Sequence, residues 1–118
     1  MKNLLNIVIN MDKALQYIEE GEMNSIKQFL IQNNVQFPDF QKMVEVALDY
    51  GQLSMIKYFH NSGLLIPKML KSIPVDKFAK YGNFELIYYL QTVLKTNVVF
   101  KTQNCINDYK YWKISKNK

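Results

Sequence analysis

Apolar residues recur three and four apart through most of the chain, and in three places such a stripe is written twice around a glycine. Ahead of the glycine stand Ala14, Tyr17 and Ile18, then Val44, Ala47 and Leu48, then Val75, Phe78 and Ala79, each set on one face of a helix. Behind it, Met23, Ile26, Phe29 and Leu30 recur as Leu53, Ile56 and Phe59, and again as Phe84, Ile87 and Leu90. Each copy therefore predicts two short helices. Gly21, Gly51 and Gly82 sit where the first helix must stop and reverse, in a left-handed backbone that costs glycine least. Asn33 and Gly63 mark the second helix stops for the same reason, since both residue types accept that conformation. The glycines lie thirty and thirty-one residues apart, and self-similarity at roughly 20 to 50 residues predicts a stacked repeat array.

Upstream, Leu4, Val8, Met11, Leu15 and Ile18 form an amphipathic stripe, which predicts a lid on the first copy from residues 1–10. Between copies one and two, Gln32 to Asp39 is a polar loop in which Pro38 opens the next helix and Asp39 suits its positive end. The expected organisation is one all-α domain over residues 1–118, with helix-turn-helix repeats at about 11–34, 38–64 and 72–95 and a terminal segment at 102–118. A chain of 118 residues buries roughly two-thirds of its unfolded surface on folding.

In the third copy, Ser72-Ile73-Pro74-Val75-Asp76 precedes Phe78-Ala79, and Gly82-Asn83-Phe84-Glu85-Leu86-Ile87 follows. This resembles the ankyrin repeat, in which Thr-Pro-Leu-His opens the first helix, an Ala-Ala pair packs it on its neighbours, and Gly-His-Leu-Glu-Val-Val leads into the second. The resemblance covers roughly residues 11–95 and implies a short ankyrin-like solenoid of about three repeats with N- and C-terminal capping helices. Pro74 is then expected in the first helical turn. No copy has the family's histidine, the first two lack the proline, and the period falls short of the usual length of about 33. The shortfall lies where the family forms a β-hairpin finger, so plain loops are expected there. Tetratricopeptide repeats fit less well, because their second helix carries an alanine that these copies lack.

Composition adds a source and a compartment. All fifteen basic residues are lysine, and Asn, Ile, Tyr and Phe are abundant, a bias that looks like an AT-rich genome. With degenerate Tyr-Gly repeats, this resembles the ankyrin proteins of large DNA viruses or intracellular parasites. The single cysteine, Cys105, cannot form an intramolecular disulfide and fits a reducing compartment, cytoplasm or nucleus, as a buried thiol. The run Leu4 to Ile9 is too short to span a bilayer, so no membrane is expected. His60 stands without a nearby nucleophile or carboxylate, and Glu19, Glu20 and Glu22 read as a solvated helix end. Without a glycine-rich phosphate loop, a metal pattern or a Ser-centred motif, the chain reads as non-enzymatic, with no cofactor, metal or small-molecule substrate.

Charge singles out the last segment. Residues 1–94 hold nine lysines and nine acids, whereas Lys95, Lys101, Lys110, Lys113, Lys116 and Lys118 face Asp108 alone, so the net charge of +5 belongs to the tail. Lys101, Lys110, Tyr111, Trp112, Lys113 and Lys116 are the candidate nucleic-acid-binding set, since aromatic rings interleaved with lysines can stack bases and track phosphates. The same residues also read as a cap. Carrying the period forward from Gly82 puts Ile106, Tyr109 and Lys110 where Val75, Phe78 and Ala79 fell, so Thr102 to Ile114 becomes the first helix of a fourth copy, with Ile106, Tyr109 and Cys105 inward.

The resemblance implies that a protein partner is gripped by the loop tips and the end of each first helix. Mapped onto this chain, the partner-binding candidates are Asp49, Tyr50, Lys80 and Tyr81 at the helix ends, with Phe40, Met69 and Leu70 at the tips. Two functions therefore stand: a protein-protein interaction module, directed at a host protein if the source is viral, and a basic nucleic-acid-associated or virion structural protein.

Overall fold

The computed structural model describes residues 2–65 and 70–116, with side chains described from residue 11 onward. Among the described residues there are seven helices and two very short strands, so the chain is predominantly helical. It divides into two compact units, residues 1–65 and 66–118.

The first unit holds α1 (Lys2–Glu20), α2 (Met23–Gln32), α3 (Phe37–Asp49) and α4 (Leu53–Asn61). The expected lid and the first helix of copy one are a single continuous helix, α1, although the lid's side chains Leu4 and Val8 lie outside the described residues. α1 packs on both α2 and α3, and α3 on α4, so the two helix pairs lie side by side through their first helices. Ala14 and Ile18 of α1, Ile26 and Phe29 of α2, Val44, Ala47 and Leu48 of α3, and Ile56 and Phe59 of α4 are all buried, as their spacing requires. Helices of nine to thirteen residues are marginal alone, so this shared core is what keeps them helical.

Gly21, Gly51 and Gly82 have φ of 72°, 63° and 76°. In each case the glycine N–H donates to the carbonyl three residues back and the following N–H to the carbonyl five before it: Gly51 to Leu48 and Gln52 to Ala47, for example, at 3.0 and 2.9 Å. This is the Schellman pattern, which satisfies two carbonyls that the helix end would otherwise orphan. Gly63 ends α4 in the same way, with φ 76°. Asn33 does not. Its φ of −129° is extended, and it ends α2 by donating both its backbone N–H and its side-chain Nδ2 to the Phe29 carbonyl, each at 3.0 Å. An amide side chain can cap a carbonyl directly, which removes the need for a left-handed residue. Pro38 and Asp39 stand in the first turn of α3, as expected.

The second unit holds β1 (Ile73–Pro74), α5 (Asp76–Lys80), α6 (Phe84–Thr92), β2 (Val98–Val99) and α7 (Gln103–Lys116). Plain loops were expected between these copies, yet β1 and β2 pair in parallel, Ile73 opposite Val98 and Pro74 opposite Val99. Ile73 N–H donates to Asn97 and Val75 N–H to Val99, at 2.9 and 3.0 Å. Pro74 therefore stands in β1 and not in a helical turn; lacking an N–H, it fits between the two donors of the ladder. α5 packs on α6 and on α7. The core is Val75, Phe78, Ala79, Leu86, Ile87, Leu90 and Leu94, closed by Cys105 and Tyr109 from α7. Tyr109 and Cys105 thus face inward as expected and Ile106 is half-buried, whereas Lys110, expected at the register of the buried Ala79, is exposed.

Asp76 joins α5 to α7. Its Oδ1 accepts from the Lys101 N–H at 2.8 Å, and its Oδ2 accepts from the Thr102 N–H and hydroxyl at 3.0 and 3.1 Å. The Lys101 amide, assisted by Thr102 and Cys105, holds the carboxyl below its ordinary value of 3.8 against the opposing effect of partial burial.

Two outcomes follow from these contacts. Gly82 has open space around the position a Cβ would take, so Gly82→Val should lose about 1 kcal/mol or more through backbone strain alone, measured by urea unfolding. A carboxyl whose folded pKa is depressed stabilises above its unfolded value, and that contribution is lost as pH falls through the folded one. Acid unfolding should therefore steepen below pH 3.8 in the wild-type chain, and Asp76→Asn should both lower the melting temperature at pH 7 and flatten this acid limb.

Candidate functional site

The end of α3 carries one candidate set. Asp49 is the last helical residue and Tyr50 its C-cap, at φ −97° and ψ 6°, immediately before the left-handed Gly51. Both are exposed, Tyr50 to 56%. Hydrogen bonding towards Glu19 at the end of α1, together with that carboxylate's charge, raises its phenol above the ordinary value of 10.0. Gln52 reinforces the junction by donating from Nε2 to the Glu19 carbonyl at 3.1 Å. A Cβ added at Gly21 would stand 3.4 Å from the Gln52 side chain, so the small residue leaves room for this bridge.

In the second unit, Tyr81 holds the same position as C-cap of α5, at φ −94° and ψ 5°, and is 83% exposed. Lys80 beside it is exposed as well. The repeated position thus delivers a solvent-facing tyrosine ahead of the glycine in each unit.

The loop-tip candidates fare differently. Phe40 is not at a tip. It lies inside α3, buried, with its ring edge-on to Phe59 at 5.2 Å, because the helix begins at Phe37 and its turn carries Phe40 onto the core face. Leu70 is half-buried, and Met69 lies outside the described residues. The exposed apolar side chains here are others: Phe37 at 58%, Leu64 at 41% and Ile31 at 81%. Phe37 and Leu64 border an open groove of about 280 Å³ with Leu30, Val35 and the edge of Phe40. The Phe37-Pro38 pair was the available signal, since a residue preceding a helix-opening proline stands at the solvent end of the first turn.

The basic segment divides in two. Lys101, Lys110 and Tyr111 are exposed, Tyr111 to 75%. Trp112 and Lys113 are half-buried. Trp112 lies 5.8 Å from Phe84, 5.8 Å from Tyr88 and 5.9 Å from Tyr109, so the indole packs α7 on α6 and is not a free stacking platform. Lys113 lies over the Tyr109 ring, and Lys116 pairs with Glu85 at 2.7 Å. Tyr109 donates to Gln91 Oε1 at 2.9 Å, and burial, with a contribution from Tyr88, pushes its phenol up to about 12.

Phe84, Asp108, Tyr111, Trp112 and Ser115 line an open groove of about 360 Å³. None of the described helices is long and apolar enough to cross a membrane. Comparison with protein-family models, with curated proteins and with solved structures finds no match for this chain.

A phenol raised on folding favours the folded state fully below its unfolded value, and the advantage disappears as pH rises to the folded one. The Tyr109 contribution should therefore be constant up to about pH 10 and be lost between there and about pH 12, an alkaline decline that Tyr109→Phe should make shallower in a denaturation series.

Proposed function

We propose that the chain is a non-enzymatic, ankyrin-like module that binds a protein partner through the ends of its first helices. The observation that supports this is the exposed tyrosine repeated at the C-caps of α3 and α5, Tyr50 and Tyr81, each in its own unit. Tyrosine offers a large contact area for little ordering entropy and is enriched among interface anchors. Asp49 and Lys80 supply charge of opposite sign beside the two rings and set which partner is accepted. The lysine-only, Tyr-rich composition points to an AT-rich source such as a large DNA virus, with a host protein as partner, and the lone Cys105 to a reducing compartment.

The nucleic-acid reading draws on Lys101, Lys110 and Tyr111. It is the lesser one, because Trp112, Lys113 and Lys116 from the same set are engaged within the unit, and few phosphate contacts remain.

Photo-crosslinking residues placed at 50 and 81 should capture the same partner from the native cell. Tyr81→Ala and Tyr50→Ala should each reduce its recovery at least tenfold with a nearly unchanged melting curve. Undiminished recovery by the Tyr81 variant would place the partner elsewhere. Binding to an unrelated duplex that falls steeply with salt would favour the nucleic-acid reading.

A further inference from the structure

Lys116 in the last turn of α7 is seated in an unusual surrounding for an exposed lysine. Its Nζ lies 5.0 Å from the centroid of Trp112 and 5.5 Å from that of Tyr88, and 2.7 Å from Glu85 Oε1. The two rings stand at 68° with centroids 5.8 Å apart, so they form two walls of a corner, and the carboxylate supplies a third side. Phe84 and Tyr109 pack against Trp112 at 5.8 and 5.9 Å and fix its plane. A cation within about 6 Å of an aromatic face is held by the ring quadrupole, and several rings around one ammonium group are the arrangement that recognises alkylated ammonium ligands.

The walls are built by the fold, and the cation is not. Glu85 and Tyr88 lie on α6 and Trp112 on α7, in contact through the buried Tyr109, so the corner persists without Lys116. Lys116 is held only by contacts of the exposed kind, which are individually weak. On α6 and α7 the charged groups are Glu85 and Asp108 against Lys110, Lys113 and Lys116, so removing the Lys116 charge leaves the surface balanced and open to another cation.

We propose that Glu85, Tyr88 and Trp112 form a receptor for a lysine side chain of a protein partner, favouring its methylated forms, and that Lys116 fills this receptor in cis until the partner's lysine displaces it. A lysine is the occupant because a lysine already fits. In naming a protein partner the proposal rests on the protein-binding reading, but its probes require no partner, so it can succeed where the Tyr81 experiment fails.

Trp112 is the sole tryptophan and reports on the corner directly. Its fluorescence is titrated in the full chain and in Lys116→Met with a short acetylated peptide carrying one lysine, unmodified or trimethylated, with phosphocholine, and with potassium chloride at equal ionic strength. The expected result is a saturable change in Lys116→Met, roughly fivefold or more tighter than in the wild type and tighter for the trimethylated peptide, that Glu85→Gln in the same background weakens several-fold. Lys116→Gln, checked for an unchanged helical spectrum, repeats the titration if the methionine variant unfolds. A response no different from that to potassium chloride, equal binding by wild type and variant, or tighter binding of phosphocholine than of either peptide would overturn the proposal.

Discussion

Among the described residues no helix after α1 is longer than fourteen residues, and α5 has only five, so none of them stands without packing against another. The structure therefore depends on a device that reverses the chain tightly enough for two short helices to share a core. The left-handed glycine supplies it. At Gly21, Gly51 and Gly82 the same two backbone hydrogen bonds close the first helix, and Glu22, Gln52 and Asn83 then start the second with nearly the same φ, −80°, −84° and −83°. A side chain with a Cβ in that left-handed position is strained, and a longer loop would let the stripes slide out of register. The core residues of each pair are consequences of this reversal.

What joins one pair to the next is different in kind. Within the first unit the junction is polar at its rim, with Gln52 reaching the Glu19 carbonyl at the end of α1 while Ala14 and Ala47 allow the first helices to approach. Within the second, the Asp76 carboxylate takes both amides that lead into α7, and the parallel ladder fixes the strand just before them. A carboxylate that accepts several N–H groups acts as a preformed cap for the approaching chain, and that is why α7 starts where it does.

The aromatic cluster between α6 and α7 shows how one composition serves two purposes. Tyr109 is buried and tied to Gln91, Trp112 is half-buried against Phe84 and Tyr88, and Tyr111, one turn position away, faces solvent. The lysines follow the rings. Lys113 and Lys116 lie over aromatic faces, while Lys110 stays in water. Cation and ring contacts of this kind turn a tail of high positive charge into part of a folded unit.

The sequence alone determined the helix pairs and their breaks, because a 3.6-residue stripe and a glycine at a fixed place are local signals that backbone sterics make nearly obligatory. It also placed Tyr50 and Tyr81 at equivalent, exposed helix ends, and Tyr109 inward in the last helix. The direction of Phe40 depended on where α3 begins, and a shift of three residues turns a loop tip into a core position. Pro74 and Asn33 carried ambiguous signals, since a proline suits a strand edge as well as a helix start, and an asparagine can cap with its side chain as well as with its backbone. Pairing of Ile73 with Val98, the Asp76 bonds to residues 101 and 102, and the closing of Tyr88, Trp112 and Glu85 around Lys116 join positions about twenty-five to thirty residues apart. Such contacts leave no periodic trace in the chain, because their energy arises only after the glycine turns have brought α5, α6 and α7 together, and tertiary packing alone decided them.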